Sequence, residues 1–172
     1  EYQPDIGSTS CIPAERGFFV DLPGSSHAYP CPVGSFTLNN SSVSEQNCTV
    51  SAPGYFTTPD GSFSACQPGT FQPDLGMMEC LPANPGYFVE FGASSFQSPA
   101  DIGFFSVGNS STIQIACPYG YSSIMIASDS CDYAAPGFYQ VSNESSSVNQ
   151  CPKGEYQPDI GSTSCIPAER GF

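Results

Sequence analysis

The segment EYQPDIGSTSCIPAERGF occurs twice, residue for residue, at residues 1–18 and 155–172. The copies start 154 residues apart, so 1–154 reads as one super-repeat and 155–172 as the start of the next, identical one. Two identical copies of this length do not arise by chance. The expectation is that residues 1 and 172 are cuts through something longer, not biological termini. An engineered duplication is the rival explanation, and the shorter period inside the chain weakens it.

That shorter period is 17 residues. From Ala14 the units begin AERGFF, CPVGSF (Cys31), SAPGYF (Ser51), CQPGTF (Cys66), ANPGYF (Ala83), ADIGFF (Ala100), CPYGYS (Cys117), AAPGFY (Ala134) and CPKGEY (Cys151), with Ala168 opening the next. Only the steps into and out of Ser51 depart from 17, by compensating amounts, and nine units fill the super-repeat. Position 4 of every unit is glycine, from Gly17 to Gly171. A glycine kept at one phase among varied neighbours marks a backbone requirement, either a positive φ or a close approach. Position 6 is aromatic in nearly all units (Phe19, Phe36, Phe56, Phe71, Phe88, Phe105, Tyr139, Tyr156), and Ser122 is the exception. One ring per unit at one phase predicts a ladder of rings forming most of the core.

A second turn signal follows in several units: Pro4-Asp5-Ile6-Gly7, Pro59-Asp60-Gly61, Pro73-Asp74-Leu75-Gly76 and Pro158-Asp159-Ile160-Gly161. Proline presets φ, aspartate bonds its own backbone, and glycine supplies positive φ. Each unit therefore reads as strand, tight turn, strand. Ile113–Ile115 and Ile124–Ile126 alternate with period two and read as short strands. No stretch has helical periodicity.

The nine cysteines are dense and regularly placed in a chain with 17 glycines, 17 prolines and no tryptophan. That pattern belongs to small units stapled by disulfides in an oxidising compartment. The net charge is −13, with only Arg16, Lys153 and Arg170 positive. Such a chain repels a phosphate backbone and an anionic membrane surface, so neither nucleic acid nor membrane is an expected partner. No apolar run approaches the roughly 20 residues of a membrane span.

Cysteine occupies position 1 and a second phase 14 residues on at Cys66 and Cys80, Cys117 and Cys131, Cys151 and Cys165. Cys31 and Cys48 are 17 apart, in the unit with the insertion. Elsewhere both phases lack cysteine, as at Ala14 and Ala28, Ala83 and Gln97, Ala100 and Gln114, and Ala134 and Val148. CPKGEYQPDIGSTSC and CQPGTFQPDLGMMEC carry a resemblance to ephrin-receptor-like cysteine-rich modules, part of the broader growth-factor-receptor-type repeats. The resemblance covers essentially the whole chain, and protist or algal surface filaments use similar arrays. In that family each unit ends in C-x-x-C, and here the second of those cysteines is replaced by Ala14, Ser51, Ala83 or Ala134.

Against that family pattern, joint loss of both phases in one unit implies that the two phases bond each other. The expected pairs are Cys31–Cys48, Cys66–Cys80, Cys117–Cys131 and Cys151–Cys165, with Cys11 bonded to a cysteine of the preceding copy. The competing connectivity, Cys11–Cys31, Cys48–Cys66, Cys80–Cys117 and Cys131–Cys151, spans unit boundaries at irregular lengths and leaves Cys165 over. Each short-loop bridge contributes about 3 kcal/mol by the loop-entropy account. Zinc is disfavoured, because no C-x-x-C exists and His27 is the sole histidine.

Sequons begin at Asn39, Asn40, Asn47, Asn109 and Asn143. Asn40, Asn109 and Asn143 share one phase, nine residues after a unit start, where a turn tip leaves room for an N-linked glycan. Asn47 directly precedes Cys48, a poorer context, and Asn39 competes with Asn40. Serine clusters such as Ser145–Ser147 suit O-linked glycans. Asp5, Asp60, Asp74 and Asp159 would serve calcium only if neighbouring units brought carboxylates together, and a turn-forming role is the simpler account. His27 has no nucleophile at a catalytic spacing. No metal, cofactor or enzymatic activity is expected.

The fold expected is an all-β, elongated tandem array of disulfide-stapled hairpins without a large core. A β-solenoid with one coil per unit is the alternative. Linear arrays need polar caps, whereas this chain ends in copies of its own interior. The function expected is architectural: a segment of a glycosylated extracellular or cell-surface filament, continuous in one polypeptide or assembled from copies. The alternative is a ligand-binding or adhesive receptor stalk, which should break the repeat locally. The cysteine-poor stretch 83–114 and the inserted loop 39–46 are where it would do so.

Overall fold

Every unit pairs its residues at positions 5 and 6 with the two residues just before the next unit, antiparallel, across a loop. Phe18–Phe19 pairs with Tyr29–Pro30, for example, and Glu155–Tyr156 with Ile166–Pro167. The computed structural model describes residues 1–169. Arg170, Gly171 and Phe172, the end of the second copy and the last of the phase glycines, lie outside the described residues. Among the described residues there are nine two-stranded sheets, each one hairpin, and two isolated bridges, an antiparallel one from Tyr2 to Ile12 and a parallel one from Phe19 to Ser42 of the next unit. The antiparallel bridge uses the same residues of the first copy that Tyr156 and Ile166 use in the second. The only helical element described is a single 3-10 turn at Glu45–Asn47, in the insertion. Apart from the single Phe19–Ser42 bridge, strands of neighbouring units do not pair and every sheet is one hairpin, so the hairpin architecture holds and the solenoid alternative does not.

Position 4 opens each hairpin. At Gly34, φ is +81° and the Ser35 N–H donates to the Pro32 carbonyl at 3.0 Å. A glycine with that φ at the third place of a four-residue turn is what a type II turn demands.

The chain forms two compact bodies, one of Glu1–Leu81 with Phe91–Phe96, the other of Pro82–Glu90 with Gln97–Phe172. In each, successive hairpins are joined by the same backbone bonds. The position 4 N–H donates to the position 7 carbonyl of the next unit, as from Gly54 to Gln72 (2.7 Å) in the first body and Gly86 to Ser106 (2.8 Å) in the second. The position 7 N–H donates to position 12 of the next unit, from Val20 to Ser42 and from Val89 to Ser111, both at 2.9 Å. The position 11 N–H reaches back to the position 1 carbonyl of the preceding unit, from Ala93 to Cys66 and from Ala127 to Ala100, both at 2.8 Å.

This close backbone contact decides the core. Most buried residues sit at position 1 (Ala14, Ser51, Cys66, Ala83, Ala100, Cys117, Ala134), at the position 4 glycines from Gly17 to Gly120 and at position 7 (Val20, Thr37, Thr57, Gln72, Val89, Ser106, Ser123, Gln140, Gln157). These are small, aliphatic or polar, because hairpins bonded backbone to backbone leave little room for a continuous line of rings between them. The expected aromatic ladder is therefore corrected. Phe19 and Phe36 are buried, Phe56, Phe71, Phe88, Phe105 and Tyr139 only half-buried, and Tyr156 exposed. Rings meet in local pairs, such as Phe36 with Phe63 at 4.4 Å, and not along a continuous line.

The polar core is satisfied. Gln72 Nε2 donates to the Glu79 carbonyl at 2.8 Å while its Oε1 accepts from the Asp74 N–H at 3.0 Å, so one side chain clamps the loop from inside. Gln157 repeats this with Ser164 and Asp159. No buried side-chain nitrogen or oxygen among the described residues lacks a partner, as the cost of burying an unpaired polar group requires.

Two strand expectations are corrected as well. Ile124–Ile126 is the exposed tip of a loop, and Ile113 precedes the strand, which is Ile115–Ala116. Ile124–Ile126 falls on positions 8 to 10 of its unit, which form the loop tip, and Ile113 falls three residues before Ala116, the last strand residue of its own unit.

Candidate functional site

With no large core, the chemically distinctive positions are the staple across each hairpin and the tip of each loop. Position 1 and the second cysteine phase face each other across the hairpin. Disulfides join Cys31 to Cys48, Cys66 to Cys80, Cys117 to Cys131 and Cys151 to Cys165, with Cα separations of 5.7–5.8 Å. Cys11 is exposed and without a partner among the described residues, whereas its copy Cys165 is bonded.

Two of the units without cysteine, those opening at Ala83 and Ala100, use a different staple. Gln97 Oε1 accepts from the Asn84 N–H at 2.8 Å, and Gln114 Oε1 accepts from the Asp101 N–H at 2.7 Å. Gln114 Nε2 also donates to the Asp101 carboxylate at 2.9 Å. A glutamine at the second cysteine phase thus closes the hairpin by a side-chain hydrogen bond to the backbone of position 2, while alanine fills position 1 beside it. The cysteine-poor stretch 83–114 is accordingly a continuation of the same hairpins. Sequence reasoning missed this, although the signal was present as the pairs Ala83/Gln97 and Ala100/Gln114.

At the loop tips, position 11 adopts positive φ throughout. Where it is not glycine, the backbone stays left-handed: Ser41 (64°), Ala93 (57°), Ser110 (60°), Ala127 (58°) and Glu144 (59°). The sequon asparagines Asn40, Asn109 and Asn143 immediately precede this residue and are exposed. Asn39 and Asn47 are exposed too, and Asn47 Oδ1 accepts from the Val43 N–H at 3.3 Å. The structure therefore brings Asn40, Asn109 and Asn143 to one equivalent place and sets Asn39 and Asn47 apart from it.

The turn aspartates do not converge. Among the described residues no three His, Cys, Asp or Glu side chains come together as a metal site would need. Asp60 stands out for a local reason. Hydrogen bonds from the Thr58 hydroxyl, then from the Ser62 hydroxyl and N–H, hold its carboxyl below the ordinary value. His27 lies edge-on to Tyr29, with ring centres 4.6 Å apart, on an exposed loop.

The insertion breaks the pattern once. Its 3-10 turn, capped by the Ser44 side chain, faces the preceding hairpin across a cleft of about 490 Å³ lined by Phe19, Asp21, Tyr29, Ser44, Glu45 and Gln46. No helix among the described residues is long and apolar enough to cross a membrane.

No protein-family model and no curated protein sequence matches the chain.

Proposed function

We propose that this chain is a structural segment of a glycosylated extracellular or cell-surface filament, in which hairpins stack continuously from one 154-residue period into the next. One observation carries the reading. The Gln3 N–H of the first copy donates to the Ser25 carbonyl of the Ala14 unit at 3.0 Å. Gln157 is the same residue in the second copy, and the residues after it again open an Ala14-type unit. The bond that would carry the stack across the period junction is thus a bond already made inside the chain. The four disulfides place folding in an oxidising compartment. Exposed sequons at the loop tips support a hydrated glycan coat, and the resemblance to ephrin-receptor-like repeats supports a cell-surface setting. The continuity is covalent, through tandem periods, or non-covalent, through end-to-end stacking of copies.

Electron microscopy of the native material with helical averaging tests this. A filament repeating once per 154 residues, with extra density at Asn40, Asn109 and Asn143, is the expected result. Discrete particles with capped ends would overturn it.

The cleft beside the insertion favours a second reading, a ligand-binding or adhesive stalk. It lies where the insertion departs from the repeat. Deleting the inserted residues would abolish adhesion under that reading and leave filament formation intact under the first.

A further inference from the structure

The three equivalent sequons share more than exposure of their asparagines. In each, the middle residue donates its N–H to the preceding unit: Ser41 to Ala14 (2.7 Å), Ser110 to Ala83 (2.9 Å) and Glu144 to Cys117 (3.2 Å). In each, the carbonyl of the sequon serine accepts from the preceding unit: Ser42 from Val20 (2.9 Å), Ser111 from Val89 (2.9 Å) and Ser145 from Ser123 (3.1 Å). The sequon backbone is therefore part of the bonding that joins one hairpin to the last. Two of the three hydroxyls are withdrawn as well. Ser42 is 9% exposed and donates to the Asn39 carbonyl, and Ser145 is 7% exposed and donates to the Ser147 carbonyl at 2.7 Å.

N-glycosylation needs the asparagine amide and the serine hydroxyl two residues on to be presented together. The amide nitrogen bonds the anomeric carbon of a lipid-diphosphate-linked oligosaccharide and loses a proton. The lipid diphosphate leaves with the electron pair. In the stacked protein the asparagine side chain is available, but at Asn40 and Asn143 the hydroxyl is not, and at all three sites the intervening backbone is held in a left-handed turn. Freeing it means breaking two bonds to the preceding hairpin.

We propose that Asn40, Asn109 and Asn143 receive their glycans before their hairpins stack, and that the stacked protein is closed to the transfer. Once attached, the glycan projects from an exposed asparagine and does not obstruct stacking. The filament would thus be coated as it folds and fixed in that state afterwards. This rests on the glycoprotein part of the reading above, and the test separates the two.

The unglycosylated full chain is offered to an oligosaccharyltransferase with a lipid-linked oligosaccharide, once folded and disulfide-bonded, once reduced and unfolded. Occupancy is measured site by site by mass spectrometry, alongside protein from the native source. The expected result is occupancy at all three sites in the native protein, with transfer to the unfolded chain at least about tenfold faster than to the folded one, because the folded chain must first open locally. Equal rates for folded and unfolded chain would overturn the order of events while leaving the glycans in place. No occupancy in the native protein and no transfer to the unfolded chain would overturn the glycoprotein reading, and this proposal with it.

Discussion

A methyl group built on Gly86 would lie 2.0 Å from the carbonyl oxygen of Ala127, two hairpins further along the chain. The position 4 glycine therefore answers two demands at once, a φ of +83° and a backbone passing against it. Either would favour glycine, and together they leave no alternative. Gly34 stands in the same relation to Gly76, with 1.9 Å to its carbonyl oxygen.

Gly86→Ala should therefore cost far more than a positive φ alone. A left-handed alanine costs about 1–2 kcal/mol, and the clash with backbone that cannot rotate away adds about 1–3 kcal/mol. Gly24→Ala is the matched comparison. Gly24 also has positive φ (+76°) but nothing within 4 Å of the added carbon. Denaturant titration of the two variants should show Gly86→Ala the more destabilised by at least about 1 kcal/mol. Equal losses would mean that the contact between non-adjacent hairpins contributes nothing.

The glutamine staples make a constructive prediction. Ala83 and Gln97 occupy the two places held by Cys66 and Cys80 in the preceding hairpin. The double variant Ala83→Cys, Gln97→Cys should oxidise spontaneously and contribute about 3 kcal/mol, the loop-closure value for a bridge of this span. Gln97→Ala alone should lose about 1 kcal/mol, the net worth of one hydrogen bond. Thiol counting and thermal melts read both. Two free thiols persisting in the oxidised double variant would contradict the equivalence of the two staples.

Asp60 sets a pH dependence with a definite sign. Its carboxyl is held below the ordinary 3.8 by the hydroxyls of Thr58 and Ser62, which bond the ionised form. A depressed folded-state value means that the contribution to stability is fully present above about pH 4 and is lost as the pH falls through the folded value. Carboxyl titration by NMR should find Asp60 below 3.8. Asp60→Asn should remove that part of the acid dependence and lower the melt at neutral pH by the same amount, a small one because the group is exposed.

The hairpin period and the staple positions were legible because both depend on residues with few substitutes. Glycine at position 4 has no equal where φ is positive and backbone passes close. Cysteine at two phases leaves a trace even where it is lost. The loop tip was half legible. Gly61 and Gly76 announced a left-handed residue, but Ser41, Ala93 and Glu144 take the same φ, because their N–H groups are held by the preceding hairpin. The core was misjudged. Rings at position 6 suggested an aromatic ladder, but the spacing between hairpins is set by backbone hydrogen bonds such as Gly54 to Gln72, and most of the side chains buried there are small or self-satisfying polar ones. Gln72 and Gln157 at position 7 look like surface residues in a sequence and act as internal clamps in the fold.

Hydrogen exchange at Gln157 tests continuity across the period junction most directly. Its N–H has no acceptor among the described residues, while the N–H of Gln3, the same residue in the first copy, is bonded to Ser25. In a chain carrying two 154-residue periods end to end, the Gln157 amide should become protected to the level of Gln3, at least about tenfold slower than in the present chain. Unchanged, rapid exchange at Gln157 in the two-period chain would show that the hairpins do not stack across the junction, and would contradict the continuous filament.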